Sequence, residues 1–507
     1  MPSRTSPFRS QSRPATGKSG ASKPAPRPNA SHDTSAPRKT QTARNSPSTR
    51  ESAPAIRSGG PRGKASTRPP SGASAGSPSQ APKAAHPSTR ISHASHAVVS
   101  RRAADRLRNG HLWVYATEIE QLPTHKTDQP PALVPVADSR GLLLGTALFS
   151  PASQIPLRLI AREPIAEPAW MALLADRLRA SILLRRPLLN DANTACRLVF
   201  SEADQLPGII LDQYADLFLL QLLVKPLATP TVRDAVVEVL RELFPDTPFT
   251  LWERPDPRIR VLEGIDAPAE GPLWTSASAT SQTIFRLNGL RFHYNSNAGQ
   301  KTGAFLDQRE NYAAAARWAV ARGATGKALD VCTYQGGFAL HLAQVCRQVT
   351  GVDASRAALE VADANLDLNR SALTADVDWI EADAFTLLRD LAEPVSGSAA
   401  ARDWDLIVLD PPAFAKSKRA VEGALRGYKE LNLRALRMLR TGGLLLTCSC
   451  SHHVHWSDLE STLASAAIDA HRRVRILERR GAAIDHPVLL NLPETEYLKC
   501  LVCEVFD

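Results

Sequence analysis

From about residue 327 to the C-terminus, short apolar runs alternate with helical stretches, and this rhythm constrains the fold more than any other feature. The succession reads KALDVC, FALHLAQVCR, QVTGVD, RAALEVADANLDLN, VDWIEAD, WDLIVLD, RALRMLR and GGLLLTCS. Strands separated by helices imply a parallel sheet with both faces covered. Such sheets bind ligands beyond the carboxyl ends of their strands, so residues at those ends carry the chemistry.

The rest of the chain divides into three parts. Residues 1–95 carry 16 Lys/Arg against two acids, a net of +14, whereas the whole chain is +10. The excess of positive charge therefore belongs to the tail. With 15 of the 38 prolines and a single aromatic residue, Phe8, this segment cannot bury enough apolar surface to offset its ordering entropy, and it reads as disordered. A loose polyanion-binding arm and a solvated extension without a partner both fit it. Residues 96–165 give short apolar stretches punctuated by Gly, Pro and Asp, a small β-rich module. Residues 166–295 mix helices (170–184, 231–243) with strands (196–200, 208–212, 217–223), an α+β pattern. No run approaches the ~18 apolar residues of a membrane helix, and no apolar segment near the N-terminus reads as a secretory signal. Seven scattered cysteines agree with a reducing cytoplasm. Cys500 and Cys503 form a C-x-x-C within an apolar strand, where residues three apart point to opposite faces, so no shared metal is expected.

Three strand ends carry candidate chemistry. In LDVCTYQGGFALHLA (329–343) a strand meets a glycine turn and then a helix. Gly336 and Gly337 let the backbone approach a ligand, flanked by Tyr334 and Phe338. The turn lacks G-x-G-x-x-G spacing, which disfavours a pyrophosphate and suits a cofactor without phosphates. Asp353 then ends the second strand, placed for ribose hydroxyls, and Asp383 follows the third, placed for an adenine amino group. Either acid could instead cap a helix. DPPAFAKSK (410–418) puts Asp410 at the end of a central strand, with Phe414 available to stack on a base.

TCSCS (447–451) places a cysteine just past the strand 442–449. Methylation of an amine needs no enzyme nucleophile, because nitrogen brings its own lone pair. Cytosine C5 is too electron-poor to accept a methyl group until a thiolate adds at C6. Cys450 is suited to that task, and an inert buried thiol is the plain alternative, the role expected of Cys448.

At these residues the chain resembles the bacterial PUA-domain family of 23S ribosomal RNA cytosine-5 methyltransferases. The resemblance covers residues 96–507. Its most specific string is GQKTGAFLDQREN (299–311), joined by FSPASQIPLR, SEADQLPGIILD, DPPAFAKSK, RGYKELN, SCS and DHP in order. It implies a PUA domain over 96–165, a small α+β linking domain over 166–295, and a Rossmann-like class I methyltransferase domain over 296–507. It further implies S-adenosylmethionine as cofactor and large-subunit ribosomal RNA as partner, with no membrane association. Cys450 falls on the family's catalytic cysteine, and Asp410 would hold a flipped base and border the cofactor. Lys301, Gln308 and Arg309 would line the cleft, unless Asp307 and Arg309 pair to fix the loop. Where relatives often place a glycine after SCS, this chain has His452, His453 and His455. A metal site there lacks acidic or Cys partners, while one of the three as proton acceptor stays open.

The expected activity is 5-methylcytidine formation in large-subunit ribosomal RNA. Methylation of a base nitrogen, with Cys450 structural, and an inactive RNA-binding assembly factor are the alternatives. A homodimer agrees with the resemblance, and no feature of the sequence decides it.

Overall fold

The computed structural model describes residues 96–123, 132–254, 256–268, 270–276, 279–297, 303–393 and 402–507. The basic tail and Lys301 lie outside the described residues. None of the described helices is long and apolar enough to cross a membrane.

The first module is a six-stranded sheet. Its order is Trp113–Val114, Leu157–Ala161, Leu143–Phe149, Leu133–Asp138, Ala97–Val99, Ile119–Gln121. One helix, Arg101–Arg108, is started by Ser100, whose hydroxyl accepts from the Ala103 amide at 3.3 Å. Ala103, Ala104 and Leu107 press into the core beside Val134, Val136 and Leu157.

The middle segment is built on a five-stranded sheet whose strand Leu217–Leu222 is buried throughout. Strand alternation explains why this run is apolar at nearly every position. Phe218, Leu220 and Leu222 face a core shared with helices Glu167–Arg185 and Pro230–Leu243. Leu217 and Leu219 face the other way, toward a hairpin, Gln282–Leu287 with Leu290–Asn295. That hairpin is absent from the sequence reading, although it carried a signal. Asn288-Gly289 forms its two-residue turn, both with positive φ (52° and 87°), the turn that matches strand twist.

The last segment is one seven-stranded sheet. Its strands are β1 (Lys327–Val331), β2 (Gln348–Asp353), β3 (Asp376–Glu381), β4 (Trp404–Leu409), β5 (Leu439–Ser449), β6 (Arg473–Arg480) and β7 (Lys499–Phe506). They run in the order β3-β2-β1-β4-β5-β7-β6, with β7 antiparallel to both neighbours. One face is covered by α1 (Arg309–Ala321), α2 (Gly337–Leu342) and α3 (Arg356–Asn369), the other by α4 (Ala384–Ala392), α5 (Val421–Met438) and α6 (Trp456–Asp469). Strand order reverses between β1 and β4, which opens a crevice at their carboxyl ends. Cys500 and Cys503 of β7 belong to opposite cores, as the strand period requires.

Two helices differ from the sequence reading. The helix read at 338–347 ends at Leu342, because the chain must turn back to enter β2 at Gln348. The helix read from RALRMLR begins at Val421, and its early turns are hidden by Gly423 and Gly427. Gly427 packs closely on Phe414, where a Cβ would stand 3.3 Å from the ring and ask it to shift slightly. Where the hairpin meets α3, two asparagines satisfy its outer strand. The Asn369 and Asn365 side-chain oxygens accept from the Arg291 and His293 amides at 2.9 and 2.7 Å, closing an edge that would otherwise present free backbone groups.

A buried carboxylate joins the middle segment to the last one. Asp485 accepts from the Arg309 guanidinium at 3.2 Å, the Arg197 amide at 2.9 Å and the His486 ring at 3.2 Å. Burial opposes its ionisation, but His486 and Arg309 overcome that and hold the carboxyl well below its ordinary range. Asp485→Ala would strand the buried Arg309 charge and should cost about 3–5 kcal/mol. Urea denaturation checks this, and an unchanged midpoint would show that the pair holds nothing together.

Candidate active site

The crevice holds a cavity of about 400 Å³. It is lined on one side by the β1 turn (Thr333, Tyr334, Gly337, Phe338), by Asp353 at the end of β2 and by Asp383 beyond β3. Asp410, Pro411, Pro412, Phe414 and Cys450 line it from the β4 and β5 ends, and Asp307 and Gln308 from the chain entering α1.

The turn after β1 is strained where it meets the cavity. Cys332 and Tyr334 take left-handed conformations (φ 66° and 52°), as does Gly336 (85°), conformations that non-glycine residues adopt at a cost when their surroundings hold them. Here Asp353 does so, accepting from the Tyr334 amide at 2.9 Å, while the Tyr334 hydroxyl donates to the Gly303 carbonyl at 3.0 Å. Gly336 shapes the turn without lining the cavity, its amide donating to the Thr333 carbonyl at 2.9 Å. At Gly337 a Cβ would meet the Tyr312 ring at 2.5 Å. Glycine is thus enforced by packing. Asp383 lines the cavity and also caps α4, accepting from the Thr386 amide at 2.9 Å.

Asp330, in the middle of this segment, was not singled out from sequence. It is fully buried, and its Oδ2 accepts from the Thr333 hydroxyl (2.6 Å) and the Ala339 amide (2.9 Å), tying both sides of the turn together. Burial pushes its carboxyl up to about 7 against those two donors.

The S-C-S segment is anchored from α5. Tyr428 is buried, and its hydroxyl lies 3.0 Å from the Ser449 hydroxyl and 3.1 Å from that of Ser451. The Ser451 hydroxyl also accepts from the Ala415 amide at 3.1 Å, joining this segment to the D-P-P-A-F loop. With both serines held on one side, alternation turns Cys450 toward the cavity. Its sulfur lies 4.0 Å from the Pro411 carbonyl oxygen. Cys448 is fully buried opposite Cys500, and contact with that thiol together with burial raises its pKa well above the ordinary value. Phe414 stacks obliquely on Tyr428 with ring centroids 4.9 Å apart.

The LDQR string divides its duties. Gln308 lines the cavity and accepts from the Asn311 side chain at 2.7 Å. Asp307 lines it too and receives the Tyr497 hydroxyl. Arg309 does not line the cavity and does not pair with Asp307. It turns into the protein onto Asp485, a partner 176 residues away that spacing could not reveal. His455 starts α6, its amide donating to Asp458 at 2.8 Å, and His452 lies against Tyr497 with centroids 5.6 Å apart. Among the described residues no group of three or more His, Cys, Asp or Glu could hold a metal ion.

A parallel sheet with an antiparallel strand inserted next to its last member, and a cavity at its reversal point, is the fold of an S-adenosylmethionine-dependent methyltransferase. Residues 204–482, more than half of the chain, match that family, described as S-adenosylmethionine-dependent methyltransferase, and residues 98–162 match the PUA-like domain. Proteins described as ribosomal RNA large subunit methyltransferase I are 34% identical in Pseudoalteromonas translucida (79% of this chain, 96% of that protein) and 36% identical in Shewanella denitrificans (79% and 96%). The solved structure of SMU.776 with SAH bound superposes with a TM-score of 0.65 at 20% identity, over 81% of this chain and 100% of that one, and shares the fold. The chain belongs to the ribosomal RNA large subunit methyltransferase I family.

The cavity fits its cofactor. A Cβ at Gly337 would meet Tyr312, and Asp353 and Asp383 line the cavity with carboxylates able to accept from hydroxyl and amino groups. Gly337→Ala should weaken S-adenosylmethionine binding tenfold or more, about 1.4 kcal/mol, as calorimetry would read; full affinity would show that the cradle is not needed. Asp330 gives a pH test. Its carboxyl is neutral in both folded and unfolded states below about pH 4. It is charged in both above about 7. Between these limits the folded state holds the extra proton, so its contribution to stability falls as pH rises. Asp330→Asn should remove that slope, gaining on the wild type by up to about 4 kcal/mol across the window, and urea melts at the two ends would read it. A difference independent of pH would contradict it.

Proposed function

We propose that the protein methylates C5 of a cytidine in large-subunit ribosomal RNA, with Cys450 as the attacking thiolate. One observation carries the reading: Cys450 lines the same cavity as the cofactor turn and its strand-end acids. In an enzyme that methylates amines, no thiol would be required there. Ribosomal RNA as substrate is supported by the relatives' descriptions, and it would place the work in the cytoplasm. Residues 96–165 would contact RNA, residues 166–295 link the two ends, and residues 296–507 perform the chemistry.

Tyr334, Gly336, Gly337 and Phe338 would cradle S-adenosylmethionine, with Asp353 at the ribose, Asp383 at the adenine amino group and Asp410 at the border with the substrate. The cofactor supplies an electrophilic methyl group. A target cytosine must leave its stack to enter so enclosed a cleft, and Phe414 offers it a face. Asp410 holds the ring near N3. The Cys450 thiolate forms a bond to C6, and the C5–C6 π pair becomes available at C5. Once C5 carries the methyl group, a base takes the C5 proton, the double bond re-forms, and the thiolate leaves with its original electron pair.

Nucleoside mass spectrometry of ribosomal RNA treated with methyl-labelled S-adenosylmethionine tests this. Label should appear in 5-methylcytidine and fall by a factor on the order of 10⁴ or more with Cys450→Ala. Label in a methylated purine, or activity that survives the substitution, would instead support base-nitrogen methylation with a structural Cys450.

A further inference from the structure

Lys499 has no role in the account above, and its position calls for one. It is buried, 3% exposed, at the start of β7 opposite Ser449. Its Nζ donates to the Ser451 carbonyl at 3.0 Å, so its charge is delivered to the backbone of the residue next to Cys450. Among the described residues it has no carboxylate within ion-pair distance. A buried ammonium without a paired anion is costly, and proteins retain one where its charge is used.

The surroundings indicate what the charge faces. Burial lowers the pKa of Lys499, and the Cys450 sulfur heads the charges that work in the opposite direction, ahead of Glu496 and Asp458. Both of those carboxylates are engaged elsewhere: Glu496 accepts from the Trp456 indole at 2.9 Å, and Asp458 caps α6 at His455. Other titratable groups stand nearby. Asp410 and Asp307 share the cavity with Cys450. Burial raises the pKa of Tyr428 and Tyr497, which keeps both phenols neutral. His452 lies against Tyr497 in the exposed turn.

We propose that Lys499 is the positioning residue that holds Cys450 as a thiolate, through its buried charge and its hydrogen bond to the Ser451 carbonyl. This rests on Cys450 being the nucleophile. The thiol proton leaves to solvent, Lys499 keeps its own, and the resulting pair is neutral overall. A cation beside a cysteine is an established way to lower a thiol pKa.

The test measures the thiol directly, without RNA or cofactor. Alkylation of Cys450 by iodoacetamide is followed across a pH series in the full-length chain, with peptide mass mapping to separate it from Cys332. Lys499→Gln keeps a donor for the Ser451 carbonyl and removes the charge. Its alkylation midpoint should rise by about one unit or more, a roughly tenfold loss of thiolate near neutral pH, and Lys499→Arg should restore it. Methyl transfer by Lys499→Gln should fall in the same proportion and recover as pH is raised. If that variant does not fold, Lys499→Met carries the same comparison. An unchanged midpoint in the neutral variant would overturn the proposal. Because alkylation reads the pairing itself, activity surviving in Cys450→Ala would defeat the nucleophile reading without altering this measurement. A dead Cys450→Ala with an unshifted midpoint would defeat only the role of Lys499.

Discussion

Asp485 lies fully buried where the middle segment, the chain entering α1 and the loop before β7 converge, and the placement of the site depends on the groups it gathers. It fixes Arg309 from one side and the Arg197 backbone from another, while Arg185 donates to its carbonyl at 3.2 Å. Arg197 is held in turn by Asp212 at 2.7 Å, and Phe200 packs against both His486 and Tyr497. With Arg309 immobilised, the two residues before it, Asp307 and Gln308, face the cavity. An ion pair this buried contributes little net stability compared with apolar packing, but removing one partner is expensive. Its use here is geometric, because it sets the register between segments far apart in sequence.

The two halves of the cleft are organised by different forces. On the cofactor side, backbone conformation dominates: left-handed residues, a glycine pressed on Tyr312, and Asp330 tying the turn to the first turn of α2. On the base side a hydroxyl network dominates, with Tyr428 holding Ser449 and Ser451 so that Cys450 is presented between them. The buried cation at Lys499 then joins that network through the Ser451 carbonyl. Both arrangements hold the groups that line the cavity in fixed positions.

Much of this was legible in the chain itself. The strand–helix rhythm gave the parallel sheet, and the glycine turn with Asp353 and Asp383 along successive units marked one side of the cavity, which Gly337 and both acids line, because these residues follow locally from strand ends. Other elements left weaker traces. The Asn288-Gly289 turn was visible but stood inside a segment with no clear period, and α1 is rich in alanine, which leaves little amphipathic contrast. Arg309 shows where local reasoning fails, since Asp307, two residues before it, was the partner that spacing offered and a distant acid, Asp485, is the one it meets in the buried interior.

By itself the sequence determined the parallel sheet, the glycine turn and the acids and cysteine at its strand ends, because strand period and turn chemistry are properties of short stretches of chain. Tertiary structure alone decided which of these groups share one cavity, that Arg309 serves the scaffold, and that Lys499 and Tyr428 stand around the S-C-S segment. Those outcomes depend on burial and on contacts between residues tens to hundreds of positions apart, where the energy of a charge or a hydroxyl is set by what surrounds it and not by its neighbours along the chain.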